Sequence, residues 1–205
     1  MRVLSIIGHP RASSFCHALS KRVRAALKGD GHEIIHHDLY AEGFEPCLTA
    51  DEAYTVGDSV EQVLARAEDP VLLRHRADIA AAEGLLVVHP NWWGKPPAIV
   101  SGWLDRVLVP GVAYRLSSAD GLPEGLLSIG TAVILNTSDT HEERERADLG
   151  DPLELIWGRC VLPYCGVRSH RRHVFRPVVG SSDAQREQWL AEAEAICRAA
   201  FSDGR

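Results

Sequence analysis

Two adjacent serines follow the first apolar run of the chain, at a point where a helix is expected to begin. Residues 8–15 read Gly-His-Pro-Arg-Ala-Ser-Ser-Phe. The first turn of a helix has backbone N–H groups without partners and the positive end of the helix dipole, so a phosphate bound there would gain these donors. The hydroxyls of Ser13 and Ser14 and the side chains of His9 and Arg11 would add to them. A serine that only caps the helix is the alternative.

Two adjacent tryptophans lie in a second segment, which is bounded by prolines and follows the third apolar run. Residues 89–97 read His-Pro-Asn-Trp-Trp-Gly-Lys-Pro-Pro. Neighbouring side chains of an extended segment point in opposite directions, so Trp92 and Trp93 are not expected to enter one core. At least one ring is predicted to face a cleft and pack on a planar ligand, which Gly94 would let the backbone approach. The alternative is that both rings serve packing in the core or at an interface.

A third polar segment, residues 136–140, follows the fourth apolar run. Thr137, Ser138 and Asp139 offer hydroxyl and backbone donors that could bond the polar edge of a ring system. An ordinary Asx or ST turn is the alternative, and this segment alone gives a weak signal. Together the three segments predict a phosphate pocket, an aromatic platform and a polar edge, which are the three parts of a flavin mononucleotide site.

The elements that must position these segments alternate between strands and helices along the chain. Apolar runs predict five strands, at residues 3–7, 33–37, 85–88, 132–135 and 167–175. Helical patterns are expected at residues 14–28, 70–83, 96–109, 152–160 and 182–201. Residues 38–69 are expected to form a surface excursion with one short helix. This pattern predicts an α/β fold: a flavodoxin-like, doubly wound, five-stranded parallel sheet in three α/β/α layers.

In open sheets of this kind, ligands bind beyond the carboxyl ends of the strands, where the strand order reverses. For the flavodoxin-like order, the reversal lies between the first and third strands. The serine segment and the tryptophan segment follow those two strands, so both are expected at one cleft. The length favours a single domain over residues 1–205.

Bulk composition limits the classes of function. The net charge of −6 disfavours nucleic-acid binding. No apolar run approaches the ~20 residues of a membrane helix and no signal peptide is recognised, so a cytoplasmic protein without membrane insertion is expected. Five cysteines at irregular spacing predict buried or partly buried thiols rather than disulfides. The basic run at residues 168–176 is interpreted as a solvated edge strand, in preference to a metal site from His170 and His173.

The same segments resemble the flavodoxin-like NAD(P)H:quinone oxidoreductase family. The order and spacing of the matching residues span nearly the whole chain, and the tryptophan segment is the most specific part. The likeness is carried by Gly8-His9 with Ser13-Ser14-Phe15, by Asp38-Leu39-Tyr40 with Gly43-Phe44, Pro46 and Leu48, by residues 89–94 continuing into 97–99 and 102–107, and by Cys165-Gly166-Val167.

The resemblance implies a flavin cofactor, FMN or FAD, and NAD(P)H as the electron donor to a quinone or similar acceptor. Tyr114 would line the substrate pocket, which dimers of the family build from both subunits, so a homodimer is expected. No metal is implied. The implied flavin contacts are His9, Ser14 and Phe15 at the phosphates, Pro90, Asn91, Trp92, Trp93 and Gly94 at the isoalloxazine ring, and Thr137, Ser138 and Asp139 at its polar edge.

The chain departs from the family after the fourth strand, where the quinone reductases have a tyrosine and a histidine. Residues 141–151 contain no tyrosine, and the family histidine aligns with Leu149 rather than His141. The usual glycine pair is replaced by Ser138-Asp139. No catalytic acid–base residue is therefore assigned. Two alternatives share the same site: a flavodoxin-type electron carrier or flavin-bound regulatory subunit, and an FMN-dependent azo- or nitroreductase.

Overall fold

A computed structural model describes residues 1–116 and 123–202 of the chain. Its strands are β1 (Arg2–Ile7), β2 (Glu33–Asp38), β3 (Gly84–Pro90), β4 (Tyr114–Leu116), β5 (Pro123–Gly125), β6 (Thr131–Thr137) and β7 (Ser169–Phe175). Five of them form one sheet in the order β2-β1-β3-β6-β7, and every neighbouring pair in it is parallel. The short strands β4 and β5 form a separate antiparallel pair.

Helices connect the strands and cover both faces of the sheet. They are α1 (Phe15–Gly29), α2 (Val60–Ala65), α3 (Pro70–Ala80), α4 (Ala98–Val107), α5 (Glu142–Arg144), α6 (Pro152–Glu154), α7 (Leu162–Tyr164) and α8 (Asp183–Ser202). Two π-helical segments, Glu145–Leu149 and Leu155–Val161, continue α5 and α6. Within the described ranges, no helix is both long enough and apolar enough to cross a membrane.

The central strands are apolar on both faces because a hydrophobic cluster lies on each side of the sheet. Val87 of β3 belongs to the cluster that contains Trp103 of α4. The adjacent Leu86 belongs to the opposite cluster, which contains Phe201 of α8. Successive residues of a strand point to opposite faces, so a continuous apolar run is the pattern that two covered faces demand. The predicted fold class is confirmed.

The five predicted strands are the members of the parallel sheet, and their ends differ from prediction by at most two residues. The expected short helix of the 38–69 excursion is α2, although Leu39 and Phe44 of that excursion are buried in the core. The helix predicted at residues 152–160 continues to Tyr164 through its π-helical middle. The β4–β5 pair and the helical turn that starts at Glu142 are not foreseen, because these segments are short and mostly polar.

Two predictions about side-chain burial are wrong in part. All five cysteines are free, but Cys47 and Cys160 are exposed rather than buried. Strand β7 lies at the edge of the sheet, as expected, yet its Arg172 side chain is only 4% exposed. The guanidinium donates to Asn136 Oδ1 at 2.8 Å and pairs with Asp151 at 2.9 Å, because one face of the edge strand is still covered by the chain around α6.

Candidate functional site

The loops that follow β1, β3 and β6 meet beyond the carboxyl ends of these strands and line a cavity of about 480 Å³. Because β1 lies between β2 and β3, the strand order reverses there, at the place where ligands of doubly wound sheets bind. Eleven of the thirteen residues predicted to bind the cofactor line this cavity. The full lining is His9, Pro10, Arg11, Ser13, Ser14, Phe15, Cys16, Pro90, Asn91, Trp92, Thr137, Ser138, Asp139, Val178 and Arg186.

The N-terminus of α1 opens into one end of the cavity. Ser14 is the N-cap, and its Oγ accepts the backbone N–H of His17 at 3.4 Å. The preceding turn is fixed by two hydrogen bonds, from the Ser14 N–H to the Arg11 carbonyl at 3.0 Å and from the Arg11 N–H to His9 Nδ1 at 3.1 Å. Serine therefore caps the helix, and the same turn also presents the first-turn amides to the cavity.

Ser14 is also the first member of a hydrogen-bonded chain that leads away from the cavity. Its Oγ lies 3.0 Å from His17 Nδ1, and His17 Nε2 lies 3.0 Å from Asp38 Oδ2. The His9 ring meets the His17 ring edge-on, with centroids 6.3 Å apart. Burial and the nearby His17 lower the pKa of His9. Sequence reasoning missed His17, although its position three residues after the N-cap places it against the serine.

The aromatic platform is a tight turn rather than an extended segment. Backbone hydrogen bonds join Trp92 and Lys95 in both directions, at 3.3 and 3.2 Å. The two residues between them have positive φ, 61° for Trp93 and 71° for Gly94, as a type I′ turn requires. The Trp92 ring lines the cavity, 5.9 Å from the His9 ring, whereas Trp93 is 96% exposed. One ring faces the cleft, as predicted, but Trp93 and Gly94 lie outside the lining.

Asn91 fastens this turn to the helical segment that follows β6. Its Oδ1 accepts the Gly94 N–H at 3.0 Å, and its Nδ2 donates to Glu145 Oε1 at 2.5 Å. Glu145 is fully buried and pairs with Arg176. Glu145 and Arg176 therefore position the platform, and no local sequence signal marks either residue, because each reaches the site from a distant part of the chain.

The polar side of the cavity is formed by Thr137, the last residue of β6, and by the two residues that follow it. Thr137 Oγ1 lies 3.2 Å from the thiol of Cys16, and burial raises the pKa of that thiol to about 12. The Ser138 carbonyl accepts the Val178 N–H at 3.1 Å, and Asp139 Oδ1 accepts the Val179 N–H at 2.7 Å. The Asp139 carboxylate thus holds the loop after β7 in place at the cavity wall.

Arg186 is a cavity residue that sequence reasoning missed. It lies in the first turns of α8, and its Nε donates to Ser181 Oγ at 2.9 Å. Arg11 and Arg186 thus give the cavity two guanidinium groups. Only the packing of α8 against α1 brings Arg186 to the site, so nothing in the local pattern identifies it.

Tyr114 lies outside the cavity that the predicted cofactor residues line. It lines a hollow of about 340 Å³ with Leu104, Leu108 and Cys160, and its ring is 4.7 Å from the Tyr164 ring. Among the described residues, this hollow shares no lining residue with the larger cavity. A single chain therefore does not bring Tyr114 to the predicted cofactor site.

A parallel sheet of this order, with a cavity at the reversal of the strand order, defines a flavodoxin-like α/β protein. A protein-family model described as having a flavodoxin-like fold matches residues 1–197. The chain belongs to this family.

Several relatives of this chain carry the names of quinone dehydrogenases or quinone oxidoreductases. NAD(P)H dehydrogenase (quinone) 1 of Rattus norvegicus is 32% identical over 127 residues, which are 57% of this chain and 46% of that protein. Ribosyldihydronicotinamide dehydrogenase (quinone) of Rattus norvegicus is 27% identical over 205 residues, 93% of this chain and 87% of that protein. The solved NAD(P)H:quinone oxidoreductase from Methanothermobacter marburgensis has a TM-score of 0.78 at 25% identity and covers 97% of this chain and 98% of its own.

The chain spans about half the length of the first curated relatives that it matches. The resemblance predicted from the sequence is nevertheless confirmed, since both the family model and the names of these relatives agree with it.

Proposed function

We propose that this chain is a flavin-dependent NAD(P)H:quinone-type oxidoreductase, which transfers two electrons as hydride from NAD(P)H through its flavin to a quinone or similar acceptor. The observation that carries the proposal is the convergence of the α1 N-terminus, the Trp92 ring and the Ser138–Asp139 edge in one cavity. The cavity volume of about 480 Å³ lies within the range of about 300–1,000 Å³ that is usual for cofactor sites. The names of the relatives support the same activity.

The residues present suit each part of a flavin. Ser13, Ser14 and the first-turn amides of α1 would hold a phosphate, with charge from Arg11 and Arg186. Trp92 and Pro90 would pack on the ring, and the Thr137–Asp139 segment would face its polar edge. When bound, a flavin accepts and donates hydride, which is chemistry that no amino-acid side chain supplies.

The protein side of the reaction is binding and orientation. Asn91, held by Glu145, keeps the Trp92 turn in one place. The raised pKa keeps Cys16 a neutral thiol, so it does not compete as a nucleophile within the cavity. Hydride transfer requires no activated serine or cysteine, and we assign no acid–base residue to it.

A homodimer and a cytoplasmic location are part of the proposal. The Tyr114 hollow and the exposed Trp93 ring are apolar features that a second subunit would cover. The free state of all five cysteines suits a reducing compartment. Light scattering coupled to gel filtration should give twice the chain mass; a monomer at micromolar concentration would contradict the dimer.

Stopped-flow mixing of the FMN-loaded protein with NADPH and with NADH tests the activity. We expect the visible absorbance of the flavin to fall with at least one donor and to return when a quinone is added. If neither donor changes the absorbance, the hydride-transfer proposal is wrong and the electron-carrier alternative is favoured. Return with an azo compound but not with a quinone would favour the azoreductase alternative.

A further inference from the structure

We propose that binding of the cofactor phosphate is coupled to the uptake of one proton by His17, a positioning residue for the hydroxyl of Ser14. The inference rests on the proposed flavin function, because it concerns the phosphate that Ser14 would hold. It is carried by the hydrogen-bonded chain from Ser14 through His17 to Asp38, in which both donor–acceptor distances are 3.0 Å.

The neutral form of His17 turns the Ser14 hydroxyl away from the cavity. Asp38 only accepts hydrogen bonds when ionised, so the single proton of a neutral imidazole must lie on Nε2, which faces Asp38. His17 Nδ1 is then an acceptor and takes the one proton of the Ser14 hydroxyl. In this state Ser14 offers only lone pairs to an anion, and no donor.

The protonated form reverses this arrangement. An imidazolium has a proton on each nitrogen, so Nδ1 donates to Ser14 Oγ while Nε2 still donates to Asp38. The Ser14 oxygen also accepts the His17 backbone N–H at 3.4 Å, and its own O–H is left to turn into the cavity and donate to a phosphate oxygen. The proton on His17 and a phosphate on Ser14 therefore stabilise each other, which is a coupling between two sites.

Asp38 is fixed for this role by the turn that follows β2. Its Oδ1 accepts the backbone N–H groups of Tyr40 and Ala41 at 3.2 and 3.1 Å, which aims Oδ2 at His17. The carboxylate is therefore already placed to stabilise an imidazolium before any ligand arrives.

Two other histidines lie beside this hydrogen-bonded chain, and burial disfavours a proton on each of them. His9 faces it from the β1–α1 loop, and burial together with the nearby His17 lowers the pKa of His9. On β2, burial together with Arg24 of α1 lowers the pKa of His36 to about 4. The Asp38 carboxylate, by contrast, lies in direct contact with His17 and favours a proton there.

The test is the pH dependence of FMN binding to the flavin-free protein, measured between about pH 7 and about pH 8.5, where a free phosphate monoester with a second pKa of about 6 is already a dianion. We expect the Kd of FMN to rise with pH, by up to about tenfold per pH unit for one coupled proton. Riboflavin, which lacks the phosphate, should show no such rise. Calorimetry in two buffers of different ionisation enthalpy should show proton uptake with FMN alone.

Two variants remove the coupling in different ways. In His17→Gln the imidazole that takes up the proton is gone while His9 stays in the cavity lining, so the rise of the Kd of FMN with pH should be lost in this range. In Asp38→Asn the amide oxygen can still accept from Tyr40 and Ala41, while the amide N–H donates to His17 Nε2 and moves the imidazole proton to Nδ1. Asp38→Asn should therefore bind FMN without proton uptake. His141→Gln, an exposed histidine outside the cavity, is the control and should keep the wild-type dependence.

The outcomes separate this inference from the proposed function. Equal pH dependence of FMN binding in the wild type and in His17→Gln would overturn the coupling and leave the flavin function standing. If the folded wild type bound neither FMN nor riboflavin, the proposed function itself would fail.

Discussion

The side-chain amide of Asn91 donates a hydrogen bond of 2.5 Å to the fully buried carboxylate of Glu145. Arg176 pairs with the same carboxylate, and Asn91 in turn accepts the backbone N–H of Gly94. The type I′ turn that carries the two tryptophans is thereby fixed to the π-helical segment after β6. Asn91 thus fixes the position of the Trp92 ring, although no catalytic role is assigned to Asn91.

Replacing Asn91 by aspartate should weaken FMN binding, because it puts a second carboxylate against Glu145 and the two cannot both ionise at that distance. We expect a loss of about tenfold or more near pH 7, which shrinks as the pH falls and the pair shares a proton. Fluorescence titration measures the Kd. The double variant Asn91→Asp with Glu145→Gln removes the repulsion and should recover most of the affinity; a double variant as weak as Asn91→Asp would contradict the account.

Trp92 and Trp93 are adjacent residues of the same type in different environments, so a substitution at Trp93 is the control for the same substitution at Trp92. Trp92 lines the cavity, whereas Trp93 is 96% exposed. Trp92→Leu should raise the Kd of FMN by about tenfold, since a stacked aromatic contact contributes about 1 kcal/mol beyond its buried area. Trp93→Leu should leave that Kd within about twofold of the wild type. The reverse order of effects would show that the cofactor does not use the platform as proposed.

Arg186 should contribute to FMN binding through the phosphate rather than through the ring. Arg186→Met is expected to raise the Kd of FMN by about tenfold or more, since a hydrogen bond to a charged group contributes about 1.5–3 kcal/mol. Riboflavin binding should change little. Arg198→Met on the same helix is the control, because Arg198 pairs with Asp30 and Glu194 on the surface. An equal loss for FMN and riboflavin would place Arg186 away from the phosphate.

The alternation of strands and helices could be predicted from the sequence. Continuous apolar runs identify the strands of the parallel sheet, because each run must satisfy two covered faces. The site loops follow those strands, so the cleft between residues such as Ser14 and Trp92 could be located from the sequence. The directions of the Trp92 and Trp93 side chains could not be predicted, because Trp93 adopts a positive φ that bulky residues rarely take.

Residues that reach the site from distant elements could not be found from local patterns. Glu145 lies in a charged segment that gives no apolar period, and Arg186 lies among polar residues at the start of α8. Both are identified by the tertiary arrangement alone. Tyr114 shows the opposite case, because the resemblance assigned it to the substrate pocket and the single chain places it in a separate hollow.

A second cluster of polar side chains, His37, Glu42 and His75, has ligand atoms close enough to surround one metal ion. The Trp103 indole N–H donates to His75 Nδ1 at 2.9 Å, so the proton of a neutral His75 lies on Nε2, which donates to Glu42 at 2.9 Å. No lone pair on that ring then faces the cluster. The arrangement is a hydrogen-bonded network that joins β2, α3 and α4, rather than a metal site.

Buried histidines should make the protein sensitive to acid. Burial lowers the pKa of His75 to about 4, and burial likewise lowers the pKa of His89 to about 4. The unfolded chain takes up these protons at about pH 6.5 and the folded chain only near pH 4, so the free energy of unfolding should fall as the pH drops through this window. Urea titrations at several pH values measure it. The slope should be shallower in His75→Gln; an unchanged slope would exclude His75 as a source.

The crystal structure of the FMN complex tests the central claim most directly, through the distance from the phosphate to Ser14 Oγ. We expect a phosphate oxygen within about 3 Å of Ser14 Oγ, the first-turn amides of α1 directed at the same group, and the isoalloxazine ring against Trp92. An FMN bound with its phosphate away from Ser14, or a cavity that stays free of flavin at saturating FMN, would contradict the account.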